Sequence, residues 1–137
     1  MARRILGVLA GVVAGVVAIM IVEMIGHAVY PLPPGLDPRD REAIAAFIKS
    51  APLGVMLFVL AAYAIGSFVA GLLARLLGRT RPPALVAGAI LMALGVVNLV
   101  MIPHPVWFWA VSLVLYVPLA WAGAASVRSR PKPPPDL

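Results

Sequence analysis

Four long apolar runs, separated by short polar punctuation, dominate the chain: residues 5–30, 52–77, 84–102 and 106–127. A bilayer-spanning helix needs about 20 mostly apolar residues, so each run predicts one transmembrane helix. The first ends at Tyr30, where Pro31-Leu32-Pro33-Pro34-Gly35 follows; proline lacks the N–H that a continuing helix requires. Asp37-Pro38-Arg39-Asp40-Arg41-Glu42 then reads as a helix start, with Asp37 as N-cap and Pro38 at the first helical position. Ile44, Phe47 and Ile48 fall on one side of the segment that runs on to Ser50. This predicts a short amphipathic helix on the outer surface, lying against the bilayer or capping the bundle. Gly78-Arg79-Thr80-Arg81-Pro82-Pro83 and Pro103-His104-Pro105 predict two tight turns. The fold expected is all-α: an integral membrane four-helix bundle in one domain, residues 1–127, with the amphipathic helix between the first and second spans. Residues 128–137 are Pro-rich and charged and predict a disordered cytoplasmic tail.

Composition agrees with the pattern. Hydrophobic residues make up 63% of the 137 positions and charged residues 12%, which excludes a water-soluble domain of ordinary make-up. The spans use most of the chain and leave no room for a separate soluble domain. With no cysteine, disulfides, thiolate nucleophiles and cysteine metal sites are excluded.

The net charge of +6 is not a nucleic-acid footprint, because the basic residues stand at the ends of spans. Arg3, Arg4, Arg75, Arg79, Arg81, Arg128, Arg130 and Lys132 fall on one side of the expected bundle. Arg39, Arg41 and Lys49 fall on the other, offset by Asp37, Asp40 and Glu42. Lys and Arg stay cytoplasmic during insertion, so eight against three places both termini of a multi-pass membrane protein in the cytoplasm. Tyr30, Trp107 and Trp109 suit an outer aromatic belt, and Trp121 an inner one. The first run exceeds the length of a signal-peptide core and has no small-residue cleavage site before Glu23, so it reads as an uncleaved span.

Gly7, Gly11 and Gly15 form two overlapping G-x-x-x-G motifs, which let helix backbones approach closely where lipid supplies no hydrophobic drive between helices. The four-residue ridge continues through Ile19 to Glu23 and His27, so a partner helix following it is expected to cover both. The second span offers Ala62, Gly66, Ala70 and Ala74 at the same spacing, and the fourth Ala120 and Ala124. Spans one and three each carry a polar residue near the outer end, Glu23 or Asn98, followed by a His, a Pro and an aromatic. This is a faint two-plus-two repeat.

Candidate chemistry concentrates there. An ionisable residue inside a span costs about 2.5–3.5 kcal/mol on insertion scales and marks a functional-site candidate. Glu23 lies seven residues before Tyr30, about 10 Å below the outer surface at 1.5 Å per residue. Asn98 is expected at similar depth, His27 near the interface and His104 in the outer turn, so the four can converge in the outer third of a bundle. Three readings follow. Glu23, His27 and His104 form a donor set suited to a divalent metal such as zinc, iron or copper. A low-dielectric carboxylate also suits proton or cation handling; small four-span multidrug transporters place an essential glutamate in span one, but as dual-topology dimers, unlike the fixed orientation expected here. Structurally, Glu23 pairs with His27 or bonds to Asn98, Tyr63 or Ser67 and fixes helix register. Tyr63 is counted with this polar cluster, and both Tyr63 and Tyr116 read as packing residues. Ser67, Ser112 and Ser126 have no evident base, and no phosphate loop or hydrolase elbow occurs, so catalysis is not indicated.

Glu23-Met24-Ile25-Gly26-His27-Ala28-Val29-Tyr30-Pro31-Leu32-Pro33, then Gly35-Leu36-Asp37, then Pro103-His104-Pro105-Val106-Trp107-Phe108 resemble segments of a family of small bacterial four-transmembrane-helix proteins of uncharacterised function. The resemblance extends over nearly the whole chain; it implies four spans in a bacterial cell membrane and no particular activity. The role expected is a non-catalytic membrane component, an accessory subunit or a sensor of the outer leaflet. The alternative is a small transporter or metal-binding protein built on the Glu/His/Asn cluster. The lipid bilayer is the expected partner, with a membrane protein or a second copy beside it, and no nucleic acid.

Overall fold

The computed structural model describes residues 1–128. The expected tail lies outside the described residues except for Arg128. Five helices follow in order: α1 (Ala2–Val29), α2 (Arg41–Ser50), α3 (Leu53–Gly78), α4 (Pro82–Met101) and α5 (Val106–Ser126). All but α2 are long and apolar enough to cross a membrane. At 20 to 28 residues they run about 30–42 Å, at least the thickness of a hydrocarbon layer.

Local chemistry sets the boundaries. Tyr30 closes α1, its N–H donating to the Gly26 carbonyl just before the proline-rich turn. Arg79 closes α3 in the left-handed region (φ 58°), its N–H donating to the Arg75 carbonyl. Pro82 and Pro83 then occupy the first turn of α4, where a missing N–H leaves no bond unmade. Pro118 falls inside α5 and removes the N–H that would have reached the Val114 carbonyl.

The cap of α2 corrects the sequence expectation. Asp40, not Asp37, is the N-cap, its Oδ1 accepting from the N–H groups of Glu42 (3.0 Å) and Ala43 (3.1 Å). Asp37 belongs to the turn before it: its Oδ1 accepts from Arg39 N–H (2.9 Å) and its carbonyl from Asp40 N–H (3.1 Å). Both aspartates offer a short acceptor. Pro38 fits the second position of a β-turn as well as the first position of a helix, and the turn prevails.

The long helices alternate in direction. Gly7 lies against Ala74 and Gly78, Gly11 against Ala70, Gly15 against Gly66, and Gly26 against Phe58, so α1 and α3 are antiparallel. α3 is central and touches α1, α4 and α5; α4 also touches α1 and α5. The closest α3–α5 approach puts Gly71 on the Ala120 carbonyl and Gly123 on the Phe68 carbonyl. Small residues thus set every tight crossing, and the buried core between them is Leu91, Leu99, Phe108, Tyr63 and Tyr116.

The ridge on α1 does not continue as its spacing suggests. Gly7, Gly11, Gly15 and Gly26 are buried, Glu23 is half-buried and His27 is exposed. At 100° per residue Gly26 returns to within about 20° of the direction of Gly15, whereas Glu23 lies about 80° and His27 about 120° round the helix. α3 therefore covers Gly26, and Glu23 turns toward α4.

Charge is divided between the two ends. Arg3, Arg4, Arg75, Arg79, Arg81 and Arg128 stand at the end formed by the α1 start, the α3–α4 turn and the α5 terminus. There Arg81 lies over the Trp121 ring, 5.2 Å from its centroid. The opposite end holds Arg39, Arg41 and Lys49 with Asp37, Asp40 and Glu42.

Candidate functional site

The α2 end contains two cavities with a common wall. The larger, about 450 Å³, is lined by Glu23, His27 and Tyr30 on α1 and its C-cap, Met56, Phe58 and Val59 on α3, and Asn98 on α4 with His104 beyond it. Ile44, Phe47 and Ile48 form its roof. These three are half-buried, whereas Glu42 and Lys49 on the other side of α2 are exposed. Amphipathic patterning thus turns the apolar face of α2 onto the cavity. The Arg41 guanidinium donates to the Val100 carbonyl (3.1 Å) and ties the start of the roof to the end of α4. Tyr30 stands at the side, its ring edge-on to Phe58 at 5.9 Å and its phenol over Gly54.

The smaller cavity, about 260 Å³, lies deeper, between α1, α3, α4 and α5. Glu23 and Asn98 line both cavities, and Tyr63 and Tyr116 line the deeper one. The Asn98 side-chain N–H donates to the Tyr63 hydroxyl at 2.6 Å. A row of rings leads inward: His104 stacks on Phe108 at 4.5 Å, Phe108 meets Tyr63 edge-on at 6.3 Å, and Tyr63 tilts against Tyr116 at 5.3 Å. Gly95 leaves the space that the Tyr116 phenol occupies. Ser67, one turn beyond Tyr63, is fully buried and its hydroxyl has no hydrogen-bond partner among the described residues.

Electrostatically the site is one-sided. Among the described residues no Lys or Arg lines either cavity. No Lys, Arg or His nitrogen among the described residues lies within 4.0 Å of the Glu23 carboxylate. His104 is half-buried, and burial pushes its imidazole below the ordinary value of 6.5, partly opposed by the Ile102 carbonyl 2.8 Å from Nδ1. At neutral pH it is therefore uncharged, with Nδ1–H donating to that carbonyl.

Glu23, His27, Asn98 and His104 are thus brought to one cavity, and Tyr63 joins them through Asn98. No group of three His, Asp or Glu side chains among the described residues is gathered closely enough to hold a metal ion, so Glu23, His27 and His104 do not form a three-donor set. Tyr116 is buried in the core, as a packing residue is, and it also lines the deeper cavity. The available signal was its depth: a tyrosine ten residues inside an apolar helix is too deep for an interfacial belt, and its hydroxyl needs a polar surrounding. His104 stacks on Phe108 from the turn that precedes α5.

No family model matches the chain, and neither a curated protein nor a solved structure is significantly similar to it. Function must therefore be argued from the site.

Proposed function

We propose that the protein is a non-catalytic multi-pass component of the bacterial inner membrane whose chamber under α2 receives an amphiphilic molecule from the outer leaflet. The bilayer is then both its solvent and its principal partner. The orientation rests on charge: the arginine-rich end stays cytoplasmic, which puts α2 and the chamber outside. α2 lies along the interface as amphipathic helices do, with its polar side to water. The observation that carries the reading is the 450 Å³ cavity beneath a helical roof, apolar over most of its wall, with Glu23, His27, Asn98 and His104 as its few polar points. Ligand chambers of about 300–1,000 Å³ have this make-up.

Native mass spectrometry of the protein released from mild non-ionic detergent tests the reading. The wild type is expected to retain an amphiphile, and Val59→Trp, which fills the chamber from α3, is expected to lose it while keeping its helical content. An unoccupied wild type, or a ligand held equally by Val59→Trp, counts against a chamber that binds.

A further inference from the structure

The shared wall of the two cavities says which amphiphile fits. Among the described residues Glu23 is the one carboxylate that lines them, and it lines both. Removing a carboxylate from bulk water is costly unless a counter-charge or a set of donors replaces the hydration. Among the described residues no Lys, Arg or His nitrogen stands within 4.0 Å of the Glu23 carboxylate, and the nearest basic side chain on its own helix, His27, lines the same chamber one turn away. No Lys or Arg among the described residues is present in the lining, His104 is neutral with Nδ1 committed to the Ile102 carbonyl, and the Asn98 side chain donates to Tyr63. His27 is exposed and outside ion-pair distance of Glu23. The remaining wall is aromatic and aliphatic, with Tyr30 and Phe58 edge-on at the side of the chamber. Aromatic faces attract cations, quaternary ammonium groups included. An anionic ligand would meet a like charge and neither Lys nor Arg among the described residues. A wholly neutral one would leave the carboxylate uncompensated.

We propose that the chamber binds an amphiphile bearing a single ammonium group, which pairs with the Glu23 carboxylate while the apolar body lies beneath Ile44, Phe47 and Ile48. The inference rests on the chamber reading above and adds the sign of the ligand's charge. The shared chemistry is an ammonium on an apolar chain. It is found both in the headgroup of phosphatidylethanolamine and in free lipophilic amines.

The test uses the full chain in non-ionic micelles and counts adducts by native mass spectrometry. The probes are decyltrimethylammonium and its neutral carbon isostere, in which a tert-butyl group replaces the trimethylammonium. The wild type is expected to bind one ammonium probe, with the isostere and the Glu23→Gln variant each weaker by about 10-fold or more, the scale of a lost charge-assisted contact. Val59→Lys, which brings a tethered ammonium to the same chamber, is expected to exclude the probe and covers the case in which Glu23→Gln does not fold. Displacement of the probe by phosphatidylethanolamine but not by phosphatidylglycerol upholds the proposal and assigns the ligand to a lipid headgroup. Displacement by neither upholds it and assigns the ligand to a free amphiphile. Equal binding of the isostere, undiminished binding by a folded Glu23→Gln, or displacement by phosphatidylglycerol overturns the cation assignment while leaving a binding chamber. Absence of any adduct with either probe overturns both.

Discussion

Replacing Gly11 by alanine should destabilise the protein, although alanine is the better helix former. A Cβ at Gly11 would stand 2.5 Å from the Ala70 carbonyl oxygen, 3.0 Å from the Ala74 Cβ and 3.2 Å from the Ala74 N. Carbon–oxygen approaches of this kind settle at about 3.3–3.6 Å, so α1 must retreat from α3 by about 0.8 Å. A gap of about 0.5–1 Å forfeits a quarter to a half of each dispersion contact across the interface. Overpacking of this type costs about 1–3 kcal/mol, and the gain in helix propensity returns about 1 kcal/mol. The net expectation for Gly11→Ala is a loss of about 1 kcal/mol, growing with Gly11→Leu. Because the first contact is a backbone oxygen, adding Ala74→Gly relieves only the Cβ contact and restores part of the loss. Val13→Leu, 63% exposed on the opposite side of α1, is the control and should be near neutral. Equilibrium unfolding in mixed micelles, followed by circular dichroism, measures the series. A Gly11→Ala protein as stable as the wild type, or one fully restored by Ala74→Gly, would refute the proposed α1–α3 approach.

Three further outcomes follow. Gly71→Ala should cost more than Gly11→Ala in the same assay, because its Cβ would meet the backbone of Ala120 with no side chain able to yield. Tyr63→Phe should leave the Asn98 side chain without its acceptor and cost about 0.6 kcal/mol, the average for interhelical bonds in membranes, and at most about 1.7 kcal/mol; an unchanged unfolding midpoint would contradict the 2.6 Å bond. Burial depresses the folded pKa of His104, so its contribution to stability is fully present above about pH 6.5 and falls as acidification charges the unfolded imidazole first; an NMR titration of His104 in the folded protein should have its midpoint below 6.5, and a midpoint at or above that value would refute the buried placement.

Much of the helical layout was legible because long apolar runs and proline breaks act locally. The apolar runs located four helices to within a few residues, and Ile44, Phe47 and Ile48 marked the inner face of α2. The cap of α2 was harder: Asp37-Pro38 satisfies a turn and a helix start alike, and the choice depends on where the chain must go next. The ridge from Gly7 to His27 failed as a guide to burial for a geometric reason. Four-residue steps advance about 40° each, so a stripe drawn by spacing alone leaves the face that a real neighbour covers. In the site, the convergence of Glu23, His27, Asn98 and His104 could be anticipated from depth along each span. The cavities could not, since the stand-off of α2 and the gap between α1 and α4 are properties of packing. Tyr116 was obscured because position along one helix does not reveal which side chains meet across four.

The account depends above all on which end of the bundle faces out, and the absence of cysteine makes that directly measurable. Ser50→Cys, on the exposed end of α2, and Ala2→Cys, at the exposed start of α1, can each be treated with a membrane-impermeant maleimide in spheroplasts and in lysed cells. The account predicts that Ser50→Cys reacts in intact spheroplasts and that Ala2→Cys reacts only after lysis. The reverse pattern, or equal labelling of both before lysis, would contradict a chamber that opens to the outer leaflet.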